Sequence, residues 1–234
     1  MSTRRLLMHH ELLLLALHDK KGTVAFGKMQ HFGLAGAVLA ELVLSERVRI
    51  VTERRRRKDR PLVEVVDPSR TGEAVLDAAL SSLAGAKRRA APAQAVGKIA
   101  RVKGLRHEVA RELVRRGVVR ASEDQVLLFF TRRIYPTLDP GPERALVARI
   151  RDALEGPPGP VETPTAIVIA LAQATGILQA LYSRKELKAL APRIERVMEE
   201  AGEGAEAARE AVQAAITAAV AATSAAMTAA TAGG

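Results

Sequence analysis

The chain has 234 residues, 48% of them apolar and 26% charged, enough to bury a sizeable core and too apolar for a disordered chain. Cysteine is absent, which excludes disulfides, thiolate metal sites and cysteine nucleophiles. Four Phe, two Tyr and no Trp argue against a stacked aromatic platform, and a net charge of +10 favours an anionic partner such as nucleic acid, phospholipid or a phosphorylated ligand.

The first element is a largely buried helix over 6–17, rich in leucine, stopped by Lys20-Lys21-Gly22. No small-residue cleavage site follows it, so no signal peptide and a reducing, cytoplasmic setting are expected. Phe32, Leu34, Val38, Leu39, Leu42 and Val43 predict a second helix over 29–46. Arg47–Val51 and Pro61–Val66 read as a hairpin with the arginine block 54–60 at its tip. Thr71 is the expected N-cap of a helix that buries Val75, Leu76, Ala79, Leu80 and Leu83. Val96, Ile99, Val102, Leu105, Val109 and Leu113 step by three or four, predicting one helix over 94–116 with Gly104 inside and Gly117 as C-cap. Val118–Arg120 and Val126–Thr131 then predict a second hairpin turning at Ser122–Gln125. Helices are expected from Pro140 to Leu154 and over 164–180, 184–200 and 205–228, with 155–162 as a stiff interior linker. The alanine-rich stretch 205–234 is too weakly hydrophobic for a membrane span and reads as a core helix with a frayed end. The fold class is therefore mostly α, one globular domain over 1–234 with two short β-hairpins.

The charge is concentrated. Residues 84–120 hold eleven Lys/Arg against Glu108 and Glu112, so this segment carries +9 and the rest of the chain +1. No Walker loop, nucleophile elbow or dinucleotide fingerprint is present, and no carboxylate pair stands out as acid and base. His9, His10 and His18 share one short helix, where neighbours point about 100° apart and should not converge on a metal. No catalytic residues, metal or cofactor are expected.

Leu12–Leu15, Asp19–Gly22, Gly33-Leu34 and Leu39–Leu42 together resemble the opening of Golgi phosphoprotein 3 proteins. The resemblance continues through Arg54–Lys58, Thr71–Leu80, Leu105–Val118 and Leu127–Phe130, covering about 6–155 well and the C-terminal helices loosely. It implies a helical domain that binds phosphatidylinositol 4-phosphate as a peripheral membrane protein. The alanine- and arginine-rich, cysteine-free composition suggests a bacterial relative.

The resemblance also assigns residues. The family's two headgroup arginines fall at Lys103 and Arg106, which on one helix would share a face and reach one phosphate. Its tryptophan falls near Gly27 and a further arginine at Ala35; Lys28 is close enough to replace some charge. Leu127, Leu128, Phe129 and Phe130 match a membrane-contacting hairpin that also serves self-association, and strand alternation would send two to each face. The expectation is an anionic-lipid binder on the cytoplasmic face of a membrane, with Lys103, Arg106 and Lys28 at the headgroup. The alternative is a nucleic-acid binder using 98–131 as a helix and wing. No second short helix is expected before the basic one, which weighs against it. A third reading is a protein adaptor using the arginines at 54–58.

Overall fold

The protein is described by a computed structural model covering residues 5–17, 30–54, 59–86, 88–126, 130–202 and 217. Helix α1 (Met8–Ala16) is buried along its whole length, including His9, His10 and Glu11. It packs against α2 (Gln30–Leu44), α5 (Leu105–Arg115), α6 (Gly141–Glu155) and α7 (Thr163–Ala174). A helix enclosed on all sides cannot leave its end amides to water. The Leu7 N–H therefore donates to His10 Nδ1, and the Met8 N–H to a Glu41 carboxylate oxygen from α2. At Gly33 an added Cβ would come within 2.8 Å of Thr175 Cγ2 and 3.2 Å of Leu12 Cδ2, so the close approach of α2 requires glycine.

The first hairpin pairs β1 (Val48–Glu53) with β2 (Arg60–Val65), from Val48 opposite Val65 to Glu53 opposite Arg60. Residues 55–58 of the arginine block lie outside the described residues. The N-cap position of helix α3 (Ala74–Ala84) is Glu73, not Thr71, and no side-chain bond caps it there. Thr71 acts two residues earlier: its hydroxyl accepts the Glu73 N–H and donates to Asp77, which reaches back from the first turn.

The predicted helix over 94–116 is two helices, α4 (Pro92–Ala100) and α5, joined by the turn 101–104. Gly104 has φ +71°, a left-handed conformation that ends helical continuity. The apolar stepping continues across the break because the turn keeps short-range bonds, Val102 N–H to Ile99 and Leu105 N–H to Val102. Contrary to expectation, a short helix does precede the basic one: it is α4.

The second hairpin is displaced from its expected position. Ser122–Gln125 belong to strand β3 (Ser122–Val126), which pairs with β4 (Phe130–Ile134). The strands extend because Ser122 faces Ile134 and Glu123 faces Arg133 across the ladder, an oppositely charged pairing that suits a solvated sheet. Leu127, Leu128 and Phe129 lie outside the described residues, and Phe130 opens β4.

Gly176, at φ +77°, likewise divides the predicted helix 164–180 into α7 and a short 3-10 helix, Ile177–Ala180. Helix α8 (Arg184–Gly202) follows, opened by a reciprocal bond pair between Ser183 and Glu186. The alanine-rich helix expected at 205–228 lies outside the described residues, apart from Thr217. One hydrophobic cluster runs from Met8 to Ala201, so the stretch 155–162 connects parts of a single core.

A candidate anion-binding face at the start of helix α5

The two headgroup candidates do not share a helix face. Lys103 is exposed in the turn, while Arg106 is half-buried in the first turn of α5. Gly104 lies between them, so backbone turn geometry sets their spacing rather than helical pitch. Lys103 has no acidic partner among the described residues, and neither do Lys98, Arg101 or Arg106. Other cations of the segment are engaged: Arg111 with Glu108, Arg89 with Glu64, and Arg116 with Glu73. Three of the first four cations, Arg101, Lys103 and Arg106, lie at the α4–α5 turn and the N-terminus of α5, where the helix dipole also favours an anion.

Arg106 is held from behind. Its Nη2 lies 3.3 Å from His107 Nε2, and His107 Nδ1 lies 3.0 Å from the Tyr135 hydroxyl. A guanidinium only donates, so Nε2 accepts, and the ring proton sits on Nδ1 and points at Tyr135. Tyr135 is buried just beyond β4. Burial pushes His107 below its ordinary pKa, and Arg106, Arg133, Arg111 and His31 push it the same way. His31, in the first turn of α2, is lowered by partial desolvation and by Arg106. Elements α2, α5 and β4 thus bring His31, Arg106, His107 and Arg133 to one face. Sequence reasoning found Arg106 and missed the others; the adjacency of His107 to Arg106 was the available signal.

Ala35 is wholly buried in the core, so its position contributes nothing to a surface site. Gly27 and Lys28 lie outside the described residues.

A second histidine cluster is internal. Contrary to the expectation for neighbours on one helix, His9 and His10 converge, each bringing Nε2 to the same Glu112 oxygen, at 3.4 and 2.8 Å. All three are buried. The other Glu112 oxygen accepts the Val75 N–H at 3.0 Å. Because His10 Nδ1 accepts from Leu7, its Nε2 carries the proton and has no lone pair for a metal. The cluster is a hydrogen-bonded strut between α1, α3 and α5.

Comparison with known proteins identifies a family. The family model described as Golgi phosphoprotein 3 (GPP34) matches residues 8–219. Vacuolar protein sorting-associated protein 74 of Eremothecium gossypii is 31% identical over 167 residues, 64% of this chain and 49% of that protein. A VPS74-like protein of Dictyostelium discoideum is 28% identical over 163 residues, 65% of this chain and 62% of its own length. The chain thus spans less than two thirds of either relative. Both are eukaryotic, which gives the expectation of a bacterial relative no support. With its helical core, its two hairpins and a family match running from α1 past α8, this chain belongs to the Golgi phosphoprotein 3 family.

Proposed function

We propose that this protein is a peripheral membrane protein that binds anionic phospholipid headgroups, phosphatidylinositol 4-phosphate among them, through the start of α5. The observation that carries the reading is the pair Lys103 and Arg106, free of carboxylates among the described residues and flanking the left-handed Gly104. Two uncompensated cations at a helix N-terminus attract a phosphate through charge and through free backbone amides. Each basic group near an anionic surface contributes about 1 kcal/mol, enough in combination for reversible attachment. No helix among the described residues is long and apolar enough to cross a membrane, so attachment by a face suits the chain. The apolar run Leu127–Phe130, whose last residue opens β4, is the segment that would enter the acyl layer and serve self-association. Nothing in this function requires catalysis.

One observation favours a second reading. The order α4, tight turn, α5, then a β3–β4 hairpin follows the plan of a helix-turn-helix with a wing. Flotation on liposomes containing phosphatidylinositol 4-phosphate, run beside a duplex-DNA shift assay at the same salt, separates the two. Flotation without a shift supports the lipid reading; a shift without flotation replaces it.

A further inference from the structure

We propose that His107 is a proton-operated part of this anion site: neutral, it holds Arg106; protonated, it joins Arg106 as a second cation on a phosphate. The inference rests on the lipid-headgroup reading of this face and adds a residue and a control to it.

Protonation of His107 must break a bond. Arg106 Nη2 donates to His107 Nε2 at 3.3 Å, so that nitrogen needs its lone pair. The opposite nitrogen is fixed by Tyr135 at 3.0 Å, and the buried phenol keeps the ring from turning away. A proton arriving on Nε2 converts the acceptor into a donor facing another donor. Arg106 and His107 then repel one another, and each is left with an N–H group that an anion between them can accept from.

What surrounds the ring decides when this happens. Arg106 and Arg111 face it from its own helix, Arg133 from β4 and His31 from α2. Tyr135, after β4, is a neutral donor and acceptor, and Glu108 is committed to Arg111. Burial of the ring comes first, and the three arginines add to it, in disfavouring the imidazolium in the free protein. A phosphate seated on Arg106 supplies the missing negative charge and reverses the balance. By linkage, a ligand that raises the affinity for a proton is itself bound more tightly as the pH falls. If the anion raises the His107 midpoint by one pH unit, it binds the protonated form about tenfold more tightly.

The test must keep the lipid's own charge constant, because a phosphomonoester titrates in the same range. Vesicles of phosphatidylglycerol in phosphatidylcholine carry a phosphodiester that does not, so any slope belongs to the protein. Binding of the full chain should rise severalfold from pH 7.5 to 5.5 at fixed ionic strength. His107→Gln, which bonds but cannot titrate, should lose most of the rise. His31→Gln should keep most of it. A flat parent profile, or a His107→Gln profile as steep as the parent's, overturns the proposal. The lipid-headgroup reading fails separately, if neither vesicle type binds at pH 7.5 or if Lys103→Glu with Arg106→Glu binds unchanged there. NMR of the His107 ring gives an independent readout. Its midpoint should move up with water-soluble inositol 4-phosphate, and a midpoint unmoved by that compound and by inorganic phosphate also overturns it. An equal rise with inorganic phosphate supports the proton mechanism and assigns the recognition to phosphate alone; a rise confined to the inositol compound assigns it to the headgroup.

Discussion

His10 Nε2 stands 2.8 Å from Glu112 Oε2, although 102 residues of chain separate them. Both side chains are removed from water, and the bond joins the central helix α1 to the inner face of α5. Burial alone would push the Glu112 carboxyl up; bonds from His10, His9 and the Val75 N–H outweigh it and hold it well below the ordinary range. Burial, assisted by His9, draws His10 down from 6.5 to about 4 despite the bond to Glu112.

The first prediction is acid lability. Below pH 6.5 the unfolded chain protonates His10 while the folded chain resists until about pH 4, so stability falls across that window. Glu112, depressed in the folded state, adds a loss that begins as the pH drops through the unfolded carboxylate range. Urea unfolding at pH 7.5 and at pH 5 should differ by roughly 1–3 kcal/mol, because tenfold in proton affinity corresponds to about 1.4 kcal/mol. Replacing His10 by Asn should flatten the difference. Equal midpoints at the two pH values in the parent protein would refute the role given to His10.

Removing the acceptor is a harsher change than removing one donor. Glu112→Ala should cost about 3–5 kcal/mol, because two buried histidines and the Val75 amide lose their partner together. Guanidinium unfolding measures this, and a loss under about 1 kcal/mol would mean that water replaces the carboxylate.

Glycine replacements should have opposite signs. Gly104→Ala places a side chain at φ +71° and should cost about 1–2 kcal/mol. Gly97→Ala lies inside α4 with no neighbour within 4 Å of the new Cβ and should stabilise by about 0.5–1 kcal/mol. Thermal unfolding of the two variants checks the signs.

Lys103→Glu together with Arg106→Glu should sharply lower flotation on anionic liposomes. Thermal unfolding should change little, since Lys103 is exposed and Arg106 bonds only to a neighbouring ring among the described residues. Undiminished flotation at moderate salt would move the site elsewhere.

Headgroup choice should be weak. Ala35 is buried in the core, so no side chain there can add the directional contact of an arginine. At matched surface charge and ionic strength, phosphatidylinositol 4-phosphate should outcompete phosphatidylserine or cardiolipin only modestly. A strong preference for the 4-phosphate would require further groups around Lys103 and Arg106.

Helix identity and the core face were legible because apolar spacing reports burial directly. Val96, Ile99, Leu105, Val109 and Leu113 are all buried as their spacing required. The breaks at Gly104 and Gly176 were not, because a turn can preserve apolar stepping while reversing the sign of φ at one residue. The polar run Ser122–Gln125 resembled a turn because it lacks the apolar alternation by which a strand is read. The basic segment pointed to the anion face, but His31 and Tyr135 join it from remote elements that only tertiary packing brings near. His9 and His10 misled for a related reason: helical geometry fixes where side chains start, and a flexible carboxylate can meet two of them.

The α4–α5 turn also has a bearing on how such a molecule changes over time. Arg101, Lys103 and Gly104 are exposed, whereas Ile99 and Leu105 on either side are locked into the core. An exchange at Arg101 or Lys103 alters the cations of that turn without touching the core. The buried network anchored on Glu112 imposes the opposite constraint, because each partner must change in concert with the others. Ligand preference at this face is therefore free to drift faster than the fold that carries it.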